Sequence, residues 1–323
     1  MPVASLFLNP LRPIGAEVVG LAAGEEENPD VRAWLHEAWV AHGLLLFRNV
    51  DTTRQHLALS RCFGELEIHP MAAVRSDEDP MLIDVAGKRS TPAYVFDGVD
   101  LRVNRIPWHR DTAYTPKICK GAMLRMVEVP AEEGETLFAD TAAAYDDLPD
   151  HVKDRLEGLE FKATLRQGTI KQTRPGAIWK TAREAARDEY PDGYDIAETV
   201  TADDTTFPSV VHPAVIVHPE SGRKCIFLSP TYVDHFVGME LSESNALYEY
   251  LVAHMTSPQY VYKHRWSVND AVVWDNRQFM HAAVGHKLTD QRRGLRTTLA
   301  ETTRIGRYFD ESQMAPDRPL IAD

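Results

Sequence analysis

Trp108-His109-Arg110-Asp111 carries an imidazole and a carboxylate one residue apart, and both are side chains that bind metal ions. Alternate residues of a β-strand point to the same face. His109 and Asp111 would therefore present their side chains together, while Arg110 points away. We predict a strand here that offers two metal-ligand side chains on one face.

A second imidazole comes from a distant segment of the chain. The strand-like stretch 271–274 and the turn-prone pair Asp275-Asn276 lead to His281. Two imidazoles and one carboxylate on one face of a cation leave the opposite face open, which is the arrangement of non-haem iron(II) oxygenases. We predict that His109, Asp111 and His281 bind one metal ion and form the catalytic centre.

The His-x-Asp spacing is weak evidence by itself, because a chain with 13 histidines produces such pairs by chance. His218-Pro219-Glu220 has the same spacing, but it lies in a turn-like Pro-Glu-Ser-Gly stretch. Arg292 and Arg296, which follow His281, strengthen the prediction because a guanidinium near the metal could hold a carboxylate through two hydrogen bonds. The alternative for such an arginine run is a solvated basic edge.

Composition limits the partners and the compartment. The 323 residues, 44% of them hydrophobic, predict one large domain over residues 1–323, and the net charge of −13 argues against nucleic acid and anionic membranes. Cys62, Cys119 and Cys225 suggest neither a disulfide framework nor a zinc site. Residues 1–13 lack the basic start, apolar run and small-residue cleavage site typical of a signal peptide, and we find no run of eighteen apolar residues. We expect a soluble, unprocessed, cytoplasmic protein.

Short strands outnumber helices in the apolar pattern. Asn28-Pro29-Asp30 predicts the start of a helix that ends at Gly43, followed by a buried strand at 44–47. Further helices are predicted at 150–158 and 242–256, the second with Ser242 as its N-cap. Strands are predicted at 81–85, 161–165, 214–218, 224–228, 260–264, 271–274 and 295–300. The irregular stretch 167–213 predicts a lid, and the many short strands predict a sandwich or barrel.

The order of several motifs resembles the taurine dioxygenase and 2,4-dichlorophenoxyacetate dioxygenase family of iron(II), 2-oxoglutarate-dependent oxygenases, from Arg12 to about Arg296. The landmarks are Ile14-Gly15-Ala16-Glu17-Val18 with Gly20, His42-Gly43-Leu44-Leu45-Leu46-Phe47-Arg48, Phe63-Gly64-Glu65-Leu66-Glu67 with His69-Pro70, Gly134-Glu135-Thr136-Leu137-Phe138-Ala139-Asp140, and Trp274-Asp275-Asn276-Arg277 before His281. The resemblance implies a mainly β fold with flanking helices, a double-stranded β-helix (a cupin-like jelly roll).

The resemblance also implies roles for individual residues. His109, Asp111 and His281 would be the ligands of Fe(II), and Thr136 and Arg292 would bind the distal carboxylate of the cosubstrate 2-oxoglutarate, with O2 as the oxidant. On the substrate side the corresponding positions are His69 and Arg296, and Arg105 could add a cation. Ala72 and Arg105 depart from the residues of taurine-specific relatives, so we expect a substrate other than taurine.

The implied reaction is hydroxylation of a small, anionic organic substrate, or bond cleavage that follows hydroxylation, with release of succinate and CO2. Asp111 fills the third ligand position, which argues against a halogenase. Two alternatives use the same residues: a zinc hydrolase at the His/Asp/His site, and a non-catalytic binder of small anions. A homo-oligomer is compatible with the sequence.

Overall fold

The computed structural model describes residues 5–69, 74–86, 93–96, 102–165, 179–181, 207–287 and 289–309. Helices in these ranges are α1 (Pro29–His42), α2 (Thr53–Ser60), α3 (Thr141–Asp146), α4 (Asp150–Leu156) and α5 (Leu241–Met255), with short 3-10 helices at Glu25–Glu27 and Pro258–Tyr260. The strands are β1 (Phe7–Pro10), β2 (Ala16–Val19), β3 (Leu44–Phe47), β4 (Leu66–Glu67), β5 (Leu82–Ala86), β6 (Ala93–Phe96), β7 (Arg102–Val103), β8 (Ile106–His109), β9 (Gly121–Glu128), β10 (Thr136–Asp140), β11 (Glu160–Ala163), β12 (Trp179–Thr181), β13 (Val210–Pro213), β14 (Val215–Val217), β15 (Lys224–Ile226), β16 (Val233–Phe236), β17 (Val261–His264), β18 (Ala271–Asp275), β19 (Phe279–Ala283), β20 (His286–Lys287), β21 (Arg293–Leu299) and β22 (Arg307–Tyr308).

Helix α1 begins and ends where the sequence predicts. The Asn28 side chain accepts a hydrogen bond of 2.9 Å from the Asp30 amide, and Pro29 occupies the first turn, where an N–H would have no helical partner. Gly43 adopts the left-handed conformation, with φ 67°, and its N–H donates to the Trp39 carbonyl. The chain therefore leaves α1 abruptly and enters the fully buried strand β3.

Two sheets face each other across the core. The larger has the strand order β1-β2-β3-β18-β9-β21-β4, with β5 also paired to β21, and the smaller has the order β17-β10-β19-β8. Leu44 and Leu46 of β3 pack between them with Phe138 of β10 and Phe279 of β19. Phe138 also lies with its ring 5.4 Å from that of Trp274. This is the predicted double-stranded β-helix, mainly β with flanking helices.

The outer face of the larger sheet is covered by α1. Leu45 and Phe47 alternate with the inward residues of β3 and pack against Val31, Leu35 and Trp39 of the helix. Burying each such side chain stabilises the fold by about 1.5–3 kcal/mol, so the apolar stripe of α1 fixes the helix on the sheet.

The remaining elements pack on the other side of the molecule. The sheet β16-β11-β13-β22 and helices α3, α4 and α5 surround a further core that includes Phe161, Phe227, Phe236 and Leu251. Strands β12-β6-β7-β20 form another sheet, and β14 pairs with β15. Of the predicted lid at 167–213, the described part comprises only 179–181 and 207–213. A single domain over 1–323 and the lid therefore stay predictions.

Most predicted elements are confirmed within a few residues. The strand predictions correspond to β3, β5, β11, β14, β15, β17, β18 and β21, and the later helix predictions to α4 and α5. The N-cap prediction was wrong, because α5 begins at Leu241 and Ser242 lies inside its first turn. The apolar pattern also missed β9, which is buried on both sides between β18 and β21 and is interrupted by Arg125.

Within the described ranges, the helices are too short or too polar to cross a lipid bilayer.

Candidate metal centre and active site

The pairing of β8 with β19 brings two distant histidines together. The register sets His109 opposite His281, and their ring centroids lie 4.2 Å apart. Both side chains are buried. The predicted meeting of these two imidazoles is therefore present in the fold.

Asp111 reaches the two histidines from a turn. Strand β8 ends at His109, so the prediction that both residues lie in one strand was wrong. The Asn276 side chain takes the place of strand pairing, because its Oδ1 accepts from the Asp111 amide at 3.0 Å and its Nδ2 donates to the Asp111 carbonyl at 2.9 Å. Asp111 Oδ1 then lies 3.7 Å from His109 Nε2, and Asp111 Oδ2 lies 3.9 Å from His281 Nε2.

The three side chains form a donor set that fits a metal ion. Their ligand atoms all lie within 4.8 Å of one another, and no other such group occurs in the described residues. His109 Nδ1 contacts the Pro107 carbonyl at 2.8 Å, which leaves Nε2 to bind a metal. Asp111 Oδ2 is buried without a hydrogen-bond partner. Because an unpaired buried oxygen is costly, a cation at this point would satisfy it.

Electrostatics hold Asp111 and His281 in the protonation states that a metal requires. Burial acts to raise the pKa of Asp111, but the opposing effects, the largest of which is attraction to the Arg296 guanidinium, hold this pKa well below its usual range. Arg296 Nη1 donates to Asp111 Oδ1 at 2.9 Å. Burial, and then the proximity of His109, lowers the pKa of His281 well below its usual value. The site thus offers a charged carboxylate and a neutral imidazole at neutral pH.

Thr136 and Arg292, which the resemblance assigns to 2-oxoglutarate, meet beside β19. Thr136 starts β10, which pairs with β19 so that Phe138 stands opposite His281. Arg292 Nη2 donates to Thr136 Oγ1 at 3.5 Å, and its Nε donates to the Gly134 carbonyl at 3.1 Å. Gly134 has φ 76°, and a Cβ there would lie 2.6 Å from Pro130, so this turn requires glycine.

Arg292 is a buried cation that has no acidic partner in the described part of the chain. It is 4% exposed. Burial lowers its pKa to about 10, and no carboxylate opposes that effect. A buried charge is expensive unless an anion pairs with it. The Arg292 guanidinium therefore fits a ligand carboxylate, which it can bind through two parallel hydrogen bonds.

The predicted substrate residues differ in how closely the structure ties them to the cluster. Arg296 contacts Asp111 directly. Arg105 is half-buried immediately before β8, the strand of His109. His69 is half-buried two residues after β4, and its carbonyl accepts a hydrogen bond of 2.7 Å from Arg75. Ala72 lies outside the described residues.

A buried polar network supports the turn before His281, and sequence patterns missed it. His218 Nε2 lies 2.9 Å from Asp275 Oδ2, and Arg277 donates to both oxygens of Asp275 at 2.9 and 2.5 Å. Glu220 accepts from Arg277 at 2.7 Å. His218-Pro219-Glu220 is therefore a support of this turn. The polar run Asp275-Asn276-Arg277 at the end of a buried strand is the sequence feature from which this network could have been predicted.

Comparison with known proteins agrees with this geometry. Residues 8–298 match the family model "Taurine catabolism dioxygenase TauD, TfdA family". The chain is 32% identical over 281 residues to the (S)-phenoxypropionate/alpha-ketoglutarate-dioxygenase of Sphingobium herbicidovorans, covering 86% of this chain and 88% of that protein. It is 29% identical over 312 residues to the alpha-ketoglutarate-dependent 2,4-dichlorophenoxyacetate dioxygenase of Cupriavidus pinatubonensis, covering 91% and 97%.

A solved structure extends the comparison to three dimensions. The crystal structure of AAD-2 in complex with Mn(II) and N-oxalylglycine superposes with a TM-score of 0.69 at 26% identity, covering 93% of this chain and 99% of that one. The relatives from Sphingobium and Cupriavidus are dioxygenases, so the similarity favours neither the hydrolase nor the non-catalytic binder. The chain belongs to the TauD, TfdA family and is an Fe(II)- and 2-oxoglutarate-dependent dioxygenase, an oxidoreductase that uses O2.

Proposed function

We propose that this enzyme oxidises a small organic anion with an aromatic body, and that His109, Asp111 and His281 hold its iron. One observation carries the proposal: Arg292, a buried guanidinium without an acidic partner among the described residues, donates to Thr136 on β10, the strand paired with the β19 strand of His281 in the three-donor cluster. A metal site whose neighbouring strand contacts an unpaired buried cation suits a cosubstrate that both chelates the metal and carries a second carboxylate.

Thr136 and Arg292 would bind the distal carboxylate of 2-oxoglutarate. Trp266 Nε1 donates to Thr136 Oγ1 at 3.0 Å, and Arg292 donates to the same oxygen. Because Thr136 Oγ1 already accepts from these donors, its own proton remains available to a ligand oxygen. Thr136 and Arg292 together offer a hydroxyl and a guanidinium to one carboxylate. The AAD-2 structure, which contains N-oxalylglycine, a 2-oxoglutarate analogue, supports a 2-oxoglutarate site in this fold.

The protein contributes position and charge to the reaction. Bound iron(II) supplies the redox chemistry that couples decarboxylation of 2-oxoglutarate to succinate with insertion of oxygen into the substrate. Asp111 stays charged, and His281 presents a neutral imidazole. Arg296 holds Asp111 through Nη1, while its Nε is buried without a partner. Arg296 thus has donor capacity for an anionic group of the substrate, to which Arg105 and His69 would add.

An aromatic cluster supports an aromatic substrate body. The ring of Tyr114 lies 5.1 Å from that of Phe207 and 5.2 Å from that of Tyr232, both edge to face. Tyr114 follows Asp111 by three residues, so this cluster adjoins the segment that carries a proposed metal ligand. Burial, and then the charge of Asp111, raises the pKa of Tyr114 to about 12. Because two relatives act on phenoxypropionate and 2,4-dichlorophenoxyacetate, we take aryloxyalkanoates as the first candidates.

A cytoplasmic location is part of the proposal. Cys62, Cys119 and Cys225 are buried and unpaired, which suits a reducing compartment. The net charge of −13 gives no basis for a nucleic-acid partner. The proposal requires no partner other than small molecules, and it leaves a homo-oligomer open.

Succinate release tests the proposal. Anaerobically purified protein receives Fe(II), 2-oxoglutarate and O2 with a panel of aryloxyalkanoates, sulfonates, alkyl sulfates and amino acids. We expect succinate and oxidised substrate in equal amounts, most rapidly with an aryloxyalkanoate. A neutral compound as the best substrate would contradict the anionic assignment.

Two neighbouring arginines give a matched pair of variants. Arg296→Gln should raise the KM for the substrate, because it removes the guanidinium next to Asp111. Arg293→Gln should leave that KM unchanged, because Arg293 pairs with Asp84 and Glu78 away from the cluster. Equal effects of the two substitutions would argue against a substrate role for Arg296.

A further inference from the structure

Arg110 separates two of the metal-ligand residues, and its side chain lies on the side away from them. The guanidinium is fully buried. All five of its N–H groups donate to neutral oxygens: Nε to the Leu228 carbonyl (3.2 Å), Nη1 to the carbonyls of Asn276 (2.7 Å) and Phe279 (3.0 Å), and Nη2 to Thr141 Oγ1 (2.6 Å) and the Ile226 carbonyl (2.7 Å). No described carboxylate forms an ion pair with Arg110, and burial lowers its pKa to about 10.

The acceptors show what this guanidinium holds. Asn276 and Phe279 border the turn that leads into β19 and so to His281. Thr141 is the first residue of α3, and its Oγ1 donates to the Gln278 carbonyl of the same turn at 2.5 Å. The bonds of Arg110 therefore tie its own backbone position to three points of the turn that carries the third ligand.

The planar fork of arginine matters here. Five donors at fixed angles can reach five acceptors on different elements, whereas the three donors of a lysine ammonium cannot. Asn276 adds a second tie, because its side chain pairs with the backbone of Asp111.

We propose that Arg110 is a positioning residue that sets the spacing of the metal ligands by fixing the turn before His281 against the segment that carries His109 and Asp111. This inference rests on the proposed metal site. A carboxylate and two imidazoles on separate elements bind a cation well only if those elements cannot shift. Arg110 supplies that rigidity from the side that the metal does not occupy.

Metal affinity tests the proposal apart from turnover. The wild-type chain and the variants Arg110→Lys and Thr141→Val are titrated with Mn(II), and binding is followed by the electron paramagnetic resonance signal of free Mn(II). We expect Arg110→Lys to weaken binding about 10- to 100-fold, the usual cost of losing an outer partner of a metal site. Thr141→Val removes one acceptor and should weaken binding less. The visible absorption of bound Co(II) should also change, because the ligand geometry changes.

Arg125→Met is the matched control. Arg125 is a buried arginine of β9 that donates to the Val50 carbonyl at 3.2 Å and to Thr53 at 3.4 Å, on the sheet face that packs against the helices. The Arg125→Met substitution should lower the thermal stability of the protein but leave its Mn(II) affinity within twofold of wild type. Unchanged Mn(II) affinity in both Arg110→Lys and Thr141→Val would overturn the inference alone. A wild-type chain that binds no Mn(II) would overturn the proposed metal site as well.

Discussion

Two regions lie back to back around residues 109–111, and they differ in how completely their polar atoms are paired. We call them the ligand face (His109, Asp111, His281, Arg292 and Arg296) and the rear network (Arg110, Asp275, Asn276, Arg277 and His218). On the ligand face, Asp111 Oδ2, His281 Nδ1 and Arg296 Nε are buried without partners, and Arg292 has no acidic partner among the described residues. In the rear network, every N–H of the Arg110 guanidinium has an acceptor.

The contrast separates two uses of buried polarity. Unpaired buried groups cost free energy, and where several of them surround candidate metal donors a bound ligand would offset that cost. Fully paired groups fix the backbone and keep the ligand atoms in place. The ligand face therefore indicates where metal and cosubstrate bind, and the rear network explains why that site keeps its shape.

The largest expected effect comes from removing the carboxylate of the ligand face. Asp111→Ala should reduce succinate release by more than the roughly 100-fold that loss of an outer partner costs, because it deletes one of three metal donors. The measurement is Fe(II)-dependent succinate formation. Asp84→Ala is the control, since its carboxylate pairs with Arg293 and should be dispensable. If Asp111→Ala retained more than a tenth of wild-type activity, Asp111 would not be a metal ligand and the ligand face would be wrongly defined.

A somewhat smaller effect is expected from the unpaired cation. Arg292→Met should raise the KM for 2-oxoglutarate roughly 100-fold, since charged hydrogen bonds contribute about 3 kcal/mol. The apoprotein should be no less stable, because the substitution removes a buried charge without an acidic partner. Steady-state kinetics and thermal unfolding check the two results. An unchanged KM together with a lower Tm would show that Arg292 stabilises the fold, as the rear network does, and does not bind 2-oxoglutarate.

Substitutions in the rear network should lower both the stability of the folded protein and its affinity for metal. Asn276→Ala leaves the amide and carbonyl of Asp111 without their partner, so it should destabilise the folded protein by about 1–3 kcal/mol. It should also weaken metal binding by about tenfold. Urea unfolding and Mn(II) titration measure these losses, with the exposed Asn9→Ala as control. A loss of affinity without any loss of stability would place Asn276 on the ligand face instead.

The last expected effect concerns the acid stability of the folded protein. Burial lowers the pKa of His56 to about 3 and that of His212 to about 4. Below pH 6.5 the unfolded chain binds these protons and the folded chain does not. Stability is therefore complete above pH 6.5 and falls toward pH 4 by about 1.4 kcal/mol per pH unit for each histidine.

Substitution of these histidines sharpens the comparison, because it separates general acid unfolding from protonation of the metal ligands. His56→Gln should reduce the slope of unfolding free energy against pH by about 1.4 kcal/mol per unit. Urea unfolding of the apoprotein at pH 5, 6 and 7 provides the slope. If the slope is the same in His56→Gln and wild type, this histidine does not govern acid stability.

Local sequence predicted the elements whose cause is local. Asn28, Pro29 and Gly43 define the ends of α1 because capping and backbone conformation depend on neighbouring residues. Strand β9 escaped prediction because its residues are buried on both sides, and such burial depends on β18 and β21 rather than on the strand itself. The same reason explains the error at Ser242, which has a capping residue's chemistry but lies inside the helix.

The sequence by itself determined the candidate donor set, since the His-x-Asp spacing, the distant His281 and the arginines after it are chemical properties of the residues. Only the tertiary structure decided that Asp111 acts from a turn, that Arg292 lacks an acidic partner among the described residues, and that Arg110 and Asn276 tie the two ligand segments together. These facts depend on contacts between residues far apart in the chain. Such contacts come from strand pairing and packing, for which neither spacing nor composition carries a signal.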